Sequence, residues 1–190
     1  MTLMPHPMLF PVALAVALAT PAYADEHHGH AHHAHVHGVA KLEVAVEGGS
    51  LSLHLESPLE SVLGFEHAPG NDKERAVVAQ MRKAMANGGA LFAPTSAAQC
   101  KLVESTLEAP TLDAKPAGKP EKHGKHEEHE AHGDLDADFR FTCAQPAKLT
   151  GMEVRVFEAF PKMRRIDAQV VSGKGQKATR LSSKMRFLSW

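Results

Sequence analysis

The stretch GVAKLEVAVEGGSLSLHLE, residues Gly38–Glu56, decides the fold of this chain. Apolar and polar residues alternate with a period of two before the pair Gly48-Gly49, and leucines recur at every second position after it, from Leu51 to Leu55. Such alternation is typical of strands with one buried face, and two glycines between two such runs favour a tight turn. The stretch therefore predicts a β-hairpin with its apolar face against a core.

Two further strands are predicted where the cysteines lie, at Cys100–Glu108 and Asp134–Cys143. The first groups Leu102, Glu104 and Thr106 on one face, and the second alternates four apolar residues with polar ones. We expect these strands to pair in an antiparallel sense.

The remaining pattern predicts a helix and more strands. Asn71 or Asp72 can cap a helix that runs to about Ala86, with an apolar stripe of Val77, Val78, Met81 and Met85 and with Gly88 after its end. A short second helix is expected at Pro146–Gly151. The further predicted strands are Met152–Phe157, Arg165–Val171, Lys177–Leu181 and Met185–Trp190. The predicted fold class is α+β, a mainly antiparallel β-sheet with one or two covering helices and a long disordered His-rich loop.

Cys100 and Cys143 are the two cysteines of the chain, and they fit a single disulfide in an oxidising compartment. A cysteine-containing metal site is the alternative, but the pair lacks the close spacing that such sites use. Residues Ala109–Gly133 contain Pro, Gly, Lys, Glu and His with almost nothing apolar, which predicts a disordered insertion. The disulfide would tie the base of this insertion to the sheet.

The start of the chain predicts export. An apolar run from Met8 to Thr20 precedes Pro21-Ala22-Tyr23-Ala24, a cleavage pattern of small residues, so we interpret residues 1–24 as a signal peptide cleaved after Ala24. The run is shorter than the roughly 20 residues that span a bilayer, so processing is favoured over a lasting membrane span. The predicted mature chain has a His-rich tail at 25–37 and a single α+β domain at 38–190 that carries the insertion 109–133.

Charge and motifs exclude two function classes. The net charge is −1, with acidic and basic residues interspersed, so there is no broad basic surface for nucleic acid. No HExxH or comparable spacing is present, and we expect the protein not to be an enzyme and assign no catalytic residues.

The strongest functional clue is the clustering of eleven of the fourteen histidines in two tracts. Neutral imidazole is a good ligand for Zn(II), Cu(II) and Ni(II), so His-rich tracts indicate metal binding. Neither tract has the spacing of a compact zinc finger, and we expect several interchangeable ligand sets. The candidate metal ligands are His27, His28, His30, His32, His33, His35 and His37 in the first tract, and His123, His126, His129 and His132 in the second.

Two histidines lie in the predicted globular part of the chain, His54 in the second predicted strand and His67 in the stretch GFEHAP. A single strand histidine is more often structural than a ligand. With Glu56 and Glu66 these two could form a smaller ordered metal site if the loop folds back onto the strand. Cleavage after Ala24 would also leave Asp25-Glu26-His27 at the amino terminus, a square-planar nitrogen set suited to Cu(II) or Ni(II).

Four segments that cover nearly the whole mature chain carry a resemblance to a known family: HVHGVAKLEVAVEGGSLSLHLESPLESVLGFEHAP, LFAPTSAAQCKLVES, DLDADFRFTCAQPAKL and VFEAFPKMRRIDAQVVSGKGQ. With these segments the chain resembles the ZrgA-like family of zinc-regulated, histidine-rich periplasmic proteins. It implies a periplasmic zinc-binding protein that helps zinc acquisition, with the His-rich regions as ligands. The tract histidines above are the positions that match those regions.

The residues and the resemblance together predict a protein that scavenges, buffers or delivers Zn(II) for zinc uptake, with a zinc ABC transporter as the expected partner. A metal-sensing exported interaction protein is the main alternative, and a binder of Cu(II) or Ni(II) is another. The number of metal ions bound per chain separates a buffer from a sensor.

Overall fold

The computed structural model describes residues 36–113 and 133–190, all within one compact unit that extends from Ala34 to Trp190. No helix in these two ranges is both long and apolar enough to cross a membrane.

Strands dominate the described residues. They are β1 (Val39–Glu47), β2 (Ser50–Pro58), β3 (Phe92–Pro94), β4 (Cys100–Glu108), β5 (Asp134–Cys143), β6 (Gly151–Val154), β7 (Arg165–Ser172), β8 (Gly175–Leu181) and β9 (Phe187–Ser189). One sheet has six strands in the order β4-β5-β2-β1-β7-β8, and a second has three in the order β3-β6-β9. Pairing is antiparallel throughout, except that β1 runs parallel to β7. The mainly antiparallel α+β fold predicted from the sequence is confirmed.

The helices are short apart from one. They are α1 (Leu59–Leu63), α2 (Asp72–Ala86), α3 (Gly88–Leu91), α4 (Pro110–Asp113) and α5 (Val156–Ala159). The α2 helix has the predicted bounds, because the Asn71 side chain accepts a hydrogen bond from the Glu74 amide at 3.0 Å and caps its first turn. Val78, Met81 and Met85 are buried, as the apolar stripe predicted.

The predicted hairpin is formed by β1 and β2, with Glu47 opposite Ser50 across Gly48, which has a positive φ of 54°. Its apolar residues are buried on one face of the large sheet, together with Phe139 and Phe141 from β5. Phe92 packs against Phe139 with ring centroids 5.0 Å apart, beside the helices. The opposite face, which bears residues such as Glu43, stays largely open to solvent.

The strand β4 has the predicted bounds but not the predicted alternation. Its register with β5 shifts between Leu102 and Glu104, which is the mark of a β-bulge, and Val103 is 54% exposed. The extra residue reverses the parity, so Ser105 faces inward and donates a hydrogen bond from its hydroxyl to the Met85 carbonyl at 3.0 Å. The predicted grouping of Leu102 with Glu104 is therefore wrong.

The segment predicted as one strand, Met152–Phe157, is divided in the structure. The β6 strand ends at Val154, and the helix α5 begins at Val156. Val156 and Phe157 are both buried, whereas a continuous strand would place these two neighbours on opposite faces of the sheet.

Smaller differences concern the ends of elements. The expected helix at Pro146–Gly151 is a 3₁₀ turn at Pro146–Lys148, β8 begins two residues earlier than predicted, and β9 is limited to Phe187–Ser189. The insertion predicted to be disordered at 109–133 starts with an ordered part. The α4 helix occupies Pro110–Asp113, and Ala109 and Leu112 are buried. The rest of that insertion, residues 114–132, lies outside the described residues.

Candidate functional site

Of the eleven tract histidines, one lies in the part of the chain that the structure describes. That residue is His37, which directly precedes β1. The other ten tract histidines lie outside the described residues: His27, His28, His30, His32, His33, His35, His123, His126, His129 and His132. The structure therefore describes the residues at which each tract joins the folded domain.

The first tract joins the fold at His37 and Gly38. The Gly38 amide donates to the buried Ser61 hydroxyl at 2.8 Å, and the Gly38 carbonyl accepts from the Arg164 amide at 2.8 Å. The imidazole Nε2 of His37 lies 3.2 Å from Oε1 of Glu66. Buried backbone groups need such partners, so these contacts hold the end of the first tract in one place.

The second tract rejoins the fold at Gly133. The Gly133 carbonyl accepts a hydrogen bond from the Leu59 amide at 2.8 Å. A Cβ atom at Gly133 would lie 2.9 Å from the Glu66 carbonyl oxygen and 3.0 Å from the Thr111 hydroxyl. Any larger residue would have to displace this backbone, so the close approach requires glycine at this position.

The entry to the second tract lies nearby. The α4 helix ends at Asp113, whose carboxylate accepts a hydrogen bond from the Arg82 guanidinium on α2 at 2.7 Å. Thr111, two residues before Asp113, has its hydroxyl close to Gly133. Both ends of the insertion are thus held at the same end of the sheet.

One stretch of chain, residues 59–66, binds both tracts; we call it the anchor segment. Leu59 donates to Gly133 at the end of the second tract, and Ser61 accepts from Gly38 at the end of the first. The Glu66 side chain contacts His37, and its carbonyl oxygen lies where a Cβ atom at Gly133 would meet it. A left-handed Gly64, with φ of 90°, ends α1 and turns the chain so that Glu66 reaches back. The anchor segment therefore lies beside the described ends of both tracts, His37 and Gly133, which are far apart in sequence.

The four candidates for a smaller ordered site do not assemble as a group. Glu66 contacts His37, while Glu56 pairs with Lys41 at 2.9 Å. His67 stacks on Phe65 with centroids 5.0 Å apart, and its Nδ1 lies 2.9 Å from the Ala68 carbonyl oxygen. The fourth candidate, His54, lies elsewhere on the open face of the sheet.

His54 is surrounded by carboxylates from neighbouring strands. Its Nδ1 lies 2.8 Å from Oδ1 of Asp138 and its Nε2 lies 3.6 Å from Oδ1 of Asp136, both on β5. In the β2–β5 register Asp138 is directly opposite His54, and Asp136 is opposite Glu56. The sequence reasoning missed Asp136 and Asp138 as site residues. The alternating sequence DLDADF indicates that these two aspartates share one face of a strand. Only the pairing of β5 with β2 shows that this face brings them next to His54.

These neighbours raise the pKa of His54. Partial burial on its own lowers the pKa, but the hydrogen bond to Asp138 and the charges of Asp138, Asp136 and Glu43 outweigh it. Compared with an isolated histidine, His54 therefore has its imidazolium form stabilised by these neighbours.

Replacing Asp138 with Asn is expected to lower the pKa of His54, because it removes the hydrogen-bonded charge. The pKa of His54 is higher in the folded than in the unfolded protein. The stabilisation that His54 contributes is therefore complete below about pH 6.5, the unfolded-state pKa, and is lost as the pH rises through the folded-state pKa. The Asp138→Asn variant should consequently lose more stability at acidic than at alkaline pH. An NMR titration of the His54 ring in metal-free protein measures the pKa, with Asp72→Asn on α2 as the control. A His54 pKa that is the same in wild type and Asp138→Asn would contradict this assignment.

Within the described ranges, no group of three or more His, Cys, Asp or Glu side chains is gathered as a ready metal-binding set. Comparison with models of known protein families gives one match. A model described as "ZrgA family zinc uptake protein" matches residues 34–190, which is most of the chain. No curated protein sequence matches the chain significantly.

Proposed function

This chain belongs to the ZrgA family of zinc uptake proteins, and we propose that it is exported to the periplasm and collects Zn(II) there on its two His-rich tracts. The matched family is one of zinc uptake proteins and not of enzymes, in keeping with the zinc role and the lack of catalytic motifs expected from the sequence. In this proposal zinc is the cargo of the protein, and the sheet domain is the support that carries the tracts.

The observation that carries the proposal is that the described ends of both tracts lie at the anchor segment. The His37 ring at the end of the first tract lies 3.2 Å from the Glu66 carboxylate, and a Cβ atom at Gly133, at the end of the second, would lie 2.9 Å from the Glu66 carbonyl oxygen. Because the ends are fixed close together, an imidazole of one tract has a high effective concentration near an ion held by the other. A zinc ion needs about four ligands, and two tracts rooted side by side can share that requirement.

The disulfide supports both the compartment and the arrangement. Cys100 and Cys143 are bonded across β4 and β5, and bonds of this kind persist in oxidising compartments such as the periplasm. The bond closes the chain segment that contains the second tract. The signal peptide at residues 1–24, with cleavage after Ala24, completes the proposed route of export.

Ligand exchange is the proposed way of release. Ordering a tract around an ion costs conformational entropy, so each site should bind with moderate affinity and high capacity. Zinc held in this way can pass to a partner with a more rigid site, for which a zinc ABC transporter is the proposed candidate.

The test is a calorimetric zinc titration of the full mature chain and of two substitution variants. One variant replaces His27, His28, His30, His32, His33, His35 and His37 with Gln, and the other replaces His123, His126, His129 and His132. Eleven imidazoles taken three or four at a time predict roughly three ions per wild-type chain, with a loss in each variant. His67→Gln serves as the matched control, because it removes an exposed histidine outside both tracts.

The outcomes separate the proposed function from its rivals. Unchanged stoichiometry in both tract variants would refute the tracts as the zinc ligands. A single ion per chain coupled to a conformational change would favour a metal sensor. The same titration with Cu(II) and Ni(II) tests metal preference, since nitrogen sites generally favour Cu(II) over Zn(II).

A further inference from the structure

We propose that the open face of the large sheet carries a second, fixed zinc site, with Nε2 of His54 and the carboxylate of Asp136 as its first two ligands. The proposal deepens the proposed function, because it takes zinc as the cargo and adds an ordered site beside the tracts. It rests on side chains that the structure describes, and it stands or falls separately from the ligand role of the tract histidines.

The orientation of the His54 ring is the first argument. The Nδ1 atom is held by Asp138 Oδ1 at 2.8 Å, so in the neutral ring the proton belongs on Nδ1 and the lone pair on Nε2. Zinc-binding histidines usually donate their second ring nitrogen to a carboxylate in this way, which fixes the tautomer and strengthens the ligand. In this arrangement Asp138 is a positioning residue and Nε2 is the nitrogen free to bind an ion.

The spacing of the two ligand atoms is the second argument. Nε2 of His54 lies 3.6 Å from Oδ1 of Asp136, which is longer than a normal hydrogen bond. Two ligands of a tetrahedral zinc ion, each bonded at about 2.1 Å, lie roughly 3.4 Å apart. The gap between His54 and Asp136 therefore suits a shared ion better than a direct bond between the side chains.

The surrounding charge is the third argument. Glu56, Asp136 and Glu108 lie opposite one another in register on β2, β5 and β4. Like charges directly opposite on neighbouring strands destabilise a sheet, and a cation relieves that repulsion.

A third ligand is within reach on either side of Asp136. Glu56 is held by Lys41 at 2.9 Å, whereas Glu108 lies opposite Asp136 on the edge strand β4. Opposite residues have Cβ atoms about 5 Å apart, so rotation of the Glu108 side chain can bring its carboxylate to the same ion. The His54 side chain is 41% exposed, which leaves the site open to water and to ligand exchange.

The position of the site relates it to the second tract. The β5 strand begins at Asp134, directly after Gly133, and Asp134, Asp136 and Asp138 share one face of the sheet. Alternate residues of a strand are about 7 Å apart, so Asp136 is roughly 10 Å from the end of the tract. An ion released by the tract has oxygen ligands along this short path to His54.

The test uses the full mature chain and zinc alone. Ring ¹⁵N spectra are recorded for wild type, with the His54 signals assigned by their loss in His54→Gln. Zinc addition is expected to shift the Nε2 resonance of His54 while Nδ1 stays protonated. If His54 is only an ion-pair partner of the two aspartates, its signals will not respond to zinc, and that result would overturn the proposal.

Affinity is measured in a second background in which all eleven tract histidines are replaced with Gln. One zinc ion per chain is expected to remain, to be lost in His54→Gln and Asp136→Asn, and to be retained in His67→Gln. Asp138→Ala should weaken binding by about tenfold or more, since it removes the group that orients His54. Absence of zinc binding in this background, with far-UV circular dichroism unchanged, would also refute the site. If the tracts bind zinc but the His54 signals do not respond to it, only the His54 site is refuted. If the His54 signals respond but the tract variants bind as many ions as wild type, only the tract proposal is refuted.

Discussion

Lowering the pH from about 7.5 to about 5 is expected to weaken zinc binding by roughly four orders of magnitude for each ion held by three tract imidazoles. Each ligand must be a neutral imidazole, and with a pKa of about 6.5 most tract histidines are protonated at the lower pH. The three protonation costs multiply because all three ligands must be neutral at once. Affinity should therefore fall far more steeply than for a carboxylate site.

The measurement is a competition titration with a zinc chelator of known pH dependence at several pH values. Circular dichroism at each pH provides the control that the sheet domain stays folded. The variant lacking all eleven tract histidines should show a much shallower pH dependence, since fewer imidazoles hold its zinc. Equal zinc affinity for the wild-type chain at both pH values would contradict ligation by histidine.

Replacing both cysteines with Ser is expected to lower the free energy of unfolding by up to about 4 kcal/mol. Cys100 and Cys143 are 43 residues apart, and a cross-link that closes a loop of this length removes much of the entropy of the unfolded chain. The effect should be large because the cross-linked segment includes β4 and β5, with the second tract between them. Urea unfolding of the oxidised protein and of the Cys100→Ser/Cys143→Ser variant measures the difference.

The same variant separates stability from zinc binding. These are the only two cysteines of the chain, and they are bonded to each other, so sulfur is not among the proposed ligands. The zinc stoichiometry of the folded variant should match that of the oxidised protein. A variant as stable as the oxidised protein would show that the β4–β5 pair is held by its packing alone, and a loss of zinc ions would contradict the ligand set.

The local pattern of apolar and polar residues was sufficient to predict much of the fold. The hairpin of β1 and β2, the α2 helix, and the pairing of β4 with β5 through the disulfide were all predicted, because each depends on residues close in sequence or on the two cysteines. The parallel pairing of β1 with β7 was not predicted, since it joins segments more than a hundred residues apart.

The local errors have a common cause. The bulge at Val103 and the start of α5 at Val156 both interrupt a sequence that alternates well enough for a strand. In each case tertiary packing decides which side chains are buried, and the backbone bends to bury them. Ser105 and Phe157 are buried or inward-facing as a consequence, although strict alternation would have placed them otherwise.

Residue types and their local spacing were enough to predict the disulfide and the β-rich domain, from a pair of cysteines and an alternating apolar pattern. The eleven imidazoles in two tracts likewise predict metal ligands. These properties follow from residue type and local spacing. Which distant residues meet could be seen only in the folded protein, because strand register and close backbone approach are set by the packing of the whole core. There His37 and Gly133, the described ends of the two tracts, lie near Glu66, and Asp136 and Asp138 lie against His54.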